Sequence, residues 1–115
     1  MMPKLIRDKI PQIIKDSGRE FSCYIAENKE YRHFLRKKLQ EELNELLEDP
    51  CAEEMADLLE VVSAYANTLG ITKEEIEKVG TAKRDERGGF ACGIILEQVG
   101  DKKFLTCGCG TSFSV

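Results

Sequence analysis

No stretch of this 115-residue chain is apolar for long enough to cross a bilayer, which takes about 20 consecutive apolar residues. A basic excess is missing too. Twenty-one acidic against 17 basic side chains leave a net charge of −4, so no general positive field invites a nucleic-acid polymer. Histidine occurs once, as His33 among Tyr31, Phe34 and Arg36, where packing or simple exposure accounts for it. The five cysteines are odd in number and form no secreted framework, so reduced thiols are expected. The opening Met-Met-Pro-Lys-Leu-Ile-Arg-Asp-Lys carries charge too early for a signal peptide, and a cytoplasmic location is expected. No repeat or low-complexity linker interrupts residues 1–115, which suggests one domain, small enough to gain from self-association.

What is present is acid, in two spaced pairs: Glu42-x-x-Glu45 and Glu54-x-x-Asp57. Carboxylates three residues apart on a helix lie about one turn apart on nearly the same face. Two such pairs on adjacent helices would repel each other unless a cation lay between them. Hard divalent ions such as Mg²⁺ are held by carboxylate oxygens, with substrate phosphates commonly completing the shell. The plain alternative is a solvated acidic face, which charge of this density often forms. Spacing alone does not separate the two.

The apolar pattern places the pairs. Between Glu27 and Asp49, residues Tyr31, Leu35, Leu39, Leu43, Leu46 and Leu47 recur at helical spacing. Asp49-Pro50 reads as an N-cap and first helical position, opening a helix whose stripe is Met55, Leu58, Leu59, Val62, Ala66 and Leu69, closed by Gly70. With the stripes packed as an antiparallel hairpin, all four carboxylates fall on one side near the turn. Glu41, Glu48, Glu53 and Glu60 point away and read as solvated. A short helix is expected over Asp8–Asp16 with Pro11 in its first turn, and a further one opened by the capping box Thr72-x-x-Glu75 and broken at Gly88-Gly89. Short strands are expected near residues 20–26 and 93–107, the latter as a hairpin around Gly100-Asp101.

Cationic partners stand in two places: Arg7-Asp-Lys9 before the first helix, and Lys83, Arg84 and Arg87 at the end of the last. Lys9, Lys83, Arg84 and Arg87 are candidates to hold phosphate opposite a metal, although Lys and Arg in a last helical turn also favour the helix dipole. Phe21, Tyr24 and Phe90 are the aromatics available to stack a base, a job that competes with ordinary core filling.

Taken together, Leu39-Gln-Glu-Glu42-Leu-Asn-Glu45-Leu and Glu54-Met-Ala-Asp57-Leu-Leu-Glu-Val resemble the MazG-like, all-α nucleoside triphosphate pyrophosphohydrolases. Leu5-Ile-Arg-Asp-Lys-Ile-Pro-Gln-Ile-Ile14, Glu86-Arg-Gly-Gly-Phe90 and Gly93-Ile-Ile-Leu96 are similar to the phosphoribosyl-ATP pyrophosphohydrolase-like branch. The resemblance covers roughly residues 4–97. It implies a mainly α fold, an antiparallel helical bundle with short peripheral strands. It also implies Mg²⁺-dependent cleavage between the α and β phosphates of a nucleoside triphosphate, with Mn²⁺ as a substitute ion, in nucleotide-pool housecleaning. The carried-over metal ligands and catalytic residues are Glu42, Glu45, Glu54 and Asp57. A homodimer or higher oligomer with a four-helix core is implied as well.

Two departures qualify the match. The spacer from Glu45 to Glu54 is short, leaving little room for a base-reading insertion. The C-terminal extension, residues 98–115, has no counterpart; its Cys107-Gly-Cys109 could form a zinc or redox site with Cys92 or Cys23, but by itself it supplies only two of the four ligands zinc needs. Two other functions stay open: true phosphoribosyl-ATP hydrolysis in histidine biosynthesis, and a non-catalytic nucleotide-binding or assembly module.

Overall fold

A computed structural model describes residues 3–100 and is mainly helical. It contains α1 (Ile10–Asp16), α2 (Asn28–Glu48), α3 (Ala52–Thr68) and α4 (Lys73–Arg87). The chain divides into two compact units, Met1–Ala82 and Lys83–Val115, with the boundary inside α4. The first unit holds α1 to α3 and most of α4.

Local chemistry accounts for the boundaries. Pro11 sits in the first turn of α1, where its missing N–H costs nothing, and Gly18 takes a φ of 81° just after the helix. At the start of α2, Asn28 holds a φ of 51°, a left-handed value that asparagine tolerates better than most residues. The α2–α3 connection differs from expectation. Asp49 is not the N-cap of α3: its N–H is spent on the Glu45 carbonyl at 2.9 Å, so it closes α2. Pro50 holds the residue before it out of helical backbone, and α3 begins only at Ala52, capped by the extended Cys51. Gly70 ends α3 at a φ of 74°. Thr72 caps α4, its Oγ1 accepting the Glu75 N–H at 3.1 Å.

Helices α2 and α3 pack against each other as a hairpin, with Arg32 near the start of α2 donating to the Thr68 carbonyl at the end of α3, 2.9 Å away. Leu35 of α2, at 1% exposure, and Ala66 of α3 are buried. The inward line of α2 is Tyr31, Leu35, Lys38, Glu42 and Leu46, buried or half-buried, and that of α3 runs through Glu54, Asp57, Leu58, Val61 and Tyr65. Tyr31, Leu35, Leu46 and Leu58 of the expected apolar stripes lie on these lines and Ala66 is buried as well, but Lys38, Glu42, Glu54 and Asp57 share the inward side with them. Leu43, Leu47, Met55, Leu59, Val62 and Leu69, the other members of those stripes apart from half-buried Leu39, are exposed, whereas Val61 and Tyr65, which belong to neither stripe, are half-buried.

No strand occurs among the described residues, which corrects the expectation at 20–26 and over the described part of 93–107. Alternation in Glu20–Ala26 has no partner chain to complete a ladder, and an unpaired strand leaves its N–H and C=O groups to water. Lys102–Cys107, the Cys107-Gly-Cys109 tail and most of the 98–115 extension lie outside the described residues.

Candidate functional site

Three of the four expected carboxylates converge. Glu42 from α2 and Glu54 and Asp57 from α3 each present an oxygen within 4.8 Å of the other two. The hairpin produces this directly: Glu42 follows Leu35 by seven residues on the inward line, and Glu54 and Asp57 stand one turn apart on the facing one. Glu45, one turn beyond Glu42, is exposed and does not join the trio, grouping instead with Glu41 and Glu42.

Glu42 is 6% exposed, the one buried charged residue among those described. Its Oε1 lies 3.4 Å from the Lys38 ammonium, while its Oε2 is buried with no hydrogen-bond partner. The Oε2 of Glu54 is buried and unpartnered as well. Burial raises the Glu42 carboxyl above the ordinary carboxylate range; the charge of Glu45 adds to this and Lys38 works against it. Glu54 is also raised, by burial first and then by the charges of Glu45, Asp57 and Glu42. Two unpartnered carboxylate oxygens from separate helices, facing a third carboxylate, form an all-oxygen donor set that a hard divalent cation would relieve. The residues present therefore fit a hard divalent cation. A second grouping of Asp49, Cys51 and Glu54 adjoins the set at the turn, sharing Glu54.

Two cations stand at this cluster, Arg7 from the expected Arg7-Asp-Lys9 segment and Lys38, which was not among the expected partners. Arg7 Nη2 donates to Asp57 Oδ1 at 2.7 Å, although Lys9 was the residue singled out from that segment; Lys9 is exposed at the N-terminus of α1. Lys38 Nζ lies 3.3 Å from Glu41 and 3.4 Å from Glu42, so Glu41 is half-buried and paired rather than free on the surface. The signal for Lys38 was in the sequence, at i,i+3 and i,i+4 from two glutamates. For Arg7 no local spacing exists, because its contact spans 50 positions.

Lys83, Arg84 and Arg87 belong to the second unit, at the basic end of α4. There the Arg84 carbonyl accepts the Gly88 N–H at 2.8 Å and Gly88 adopts a φ of 85°. The remaining singled-out residues have local roles. His33 is exposed, edge-on to Phe34 with centroids 5.6 Å apart. Tyr24 donates its hydroxyl to Glu30 at 2.8 Å, which raises its own pKa. No helix among the described residues is long and apolar enough to cross a membrane.

Compared with family models, with curated proteins and with solved structures, the chain matches none.

Proposed function

We propose that this protein is a Mg²⁺-dependent nucleotide pyrophosphohydrolase, adding water across the α–β anhydride of a nucleoside triphosphate to give the monophosphate and pyrophosphate. One observation carries the reading: Glu42, Glu54 and Asp57 meet between two helices with one oxygen of Glu42 and one of Glu54 buried and unpartnered. A surface acid would keep those oxygens in water. Holding three carboxylates together works against folding unless something binds them.

Glu42, Glu54 and Asp57 would hold the ion, with Glu45 at the exposed rim able to orient water or join as a ligand. A divalent ion bound there neutralises phosphate charge and acidifies an attacking water. Lys38 keeps one oxygen of Glu42 paired and directs the other toward the cluster. Arg7, half-exposed beside Asp57, has guanidinium donors left over for a substrate phosphate. Lys9, in the same unit, is a further source of positive charge for the same purpose. The reading includes an antiparallel bundle completed by a second copy of the chain, seated on the exposed apolar residues of α2 and α3.

A nucleotide panel incubated with Mg²⁺ tests this. Monophosphate and pyrophosphate in equal amounts are expected; orthophosphate with a diphosphate, or no release from any nucleotide, contradicts it.

A further inference from the structure

Beside the acidic cluster lies an open groove of about 470 Å³, lined by Asp8, Tyr31, Glu60, Ser63, Asn67 and Thr68 together with Ala64. We infer that this groove takes the nucleoside end of the substrate, and that Asp8 and Glu60 select nucleobases bearing an amino group over counterparts that carry hydrogen or oxygen at that position. The inference rests on the hydrolase reading and names the substrate class of that site.

Position comes first. Glu60 follows Asp57 by three residues on α3, about 4.5 Å along the helix axis on nearly the same face. Asp8 follows Arg7, whose guanidinium is bonded to Asp57. Both acidic walls of the groove thus continue into the cluster, and a nucleotide with its phosphates at Asp57 would extend its sugar and base along α3. The volume falls within the range of small-molecule sites.

Chemistry sets the orientation. No lysine or arginine lines the groove, so it does not attract phosphate. Its two carboxylates accept hydrogen bonds and donate none, which suits an exocyclic amine and a ring N–H and opposes a carbonyl edge. Guanine offers both donors side by side; cytosine and adenine offer the amine. Hypoxanthine and uracil place a hydrogen or a carbonyl where those amines would be. Half-buried Tyr31 also lines the groove, where a base can stack.

The test compares pairs that differ at the amino position: GTP with ITP, and CTP with UTP. The amino member should have the larger kcat/KM by on the order of tenfold, a typical effect of hydrogen bonds to charged acceptors. The ratio should collapse toward one in the Asp8→Asn/Glu60→Gln double variant. Binding of GMP and IMP, followed by calorimetry, reads the groove without turnover. Pyrophosphate release at equal rates across both pairs would overturn the groove assignment and leave the hydrolase reading standing. Absence of turnover with GMP bound more tightly than IMP, lost in the double variant, would support the groove and overturn the hydrolase reading. Neither turnover nor preference overturns both.

Discussion

Glu42 is the residue on which structure and chemistry pull in opposite directions. Its burial and the charge of Glu45 raise its pKa, and Glu54 is raised in the same sense. A folded-state pKa above the unfolded value means that the folded protein binds more protons through that window. The contribution to stability is then fully present below the ordinary glutamate pKa and is lost as pH rises through the raised values. Metal-free protein should therefore melt higher at mildly acidic than at neutral pH, and saturating Mg²⁺ should flatten the difference. Calorimetric melting across that range with EDTA or Mg²⁺ checks both signs; a metal-free protein that gains stability with pH there would contradict them. The same conflict predicts that Glu42→Gln raises the metal-free Tm at pH 7, by about 1 kcal/mol of stability, roughly 4 °C for a domain of this size. Arg7 is a second residue-scale case. Its exposed ion pair with Asp57 contributes little to stability, so Arg7→Ala should leave Tm within about 2 °C while raising KM for the triphosphate several-fold. A large Tm loss with unchanged kinetics would assign Arg7 to the fold alone.

At the scale of helices, the packed line of α2 and α3 decides which substitutions matter. Leu35→Ala removes a fully buried side chain and should cost about 2–5 kcal/mol. Thr72→Ala, which removes the α4 cap, should cost about 1 kcal/mol. Denaturant melts of the two variants test the ranking. Helical periodicity and the Pro, Gly and Thr signals located all four helices, with ends within a residue or two. They did not reveal which face turns inward, because a wheel drawn from apolar residues assumes that the apolar side packs. Here Lys38, Glu42, Glu54 and Asp57 occupy inward positions beside Leu35, Leu46 and Leu58, and Leu43, Leu47 and Leu59 are left outside. The acidic pairs were legible as pairs, and three of the four carboxylates meet as expected. Glu45 lies past the inward line, at the exposed rim, where its charge still acts on Glu42 and Glu54. Arg7 was legible as charge but not as a neighbour of Asp57, since only the folded hairpin brings residues so distant in sequence together.

For the whole molecule, one edge of the apolar stripes, Leu43, Leu47, Met55, Leu59, Val62 and Leu69, is left uncovered, with Leu47 at 69% and Leu59 at 67% exposure. Equal angular offsets on antiparallel helices fall on the same side of the pair, so these residues share one face. Patches of this kind usually mark association surfaces, and two-fold pairing is the commonest closed solution. A homodimer through α2 and α3 is expected, with Leu59→Glu converting it to monomer. Light scattering at micromolar concentration checks this; a monomeric wild-type chain would contradict it. Glu60 lies on the opposite flank of α3 from Leu59 and Val62, so the nucleoside groove stays open when that face is covered.

Mn²⁺ binding followed by electron paramagnetic resonance tests, without reference to any substrate, the proposal that Glu42, Glu54 and Asp57 are held together for a divalent cation. Wild-type protein at pH 7 should quench the free-ion signal with a saturable site that Mg²⁺ competes for, Glu42→Gln should weaken it at least about tenfold, equivalent to roughly 1.4 kcal/mol, and Glu53→Gln, on the exposed face, should leave it unchanged. Equal, non-saturating Mn²⁺ uptake by all three proteins would contradict the account.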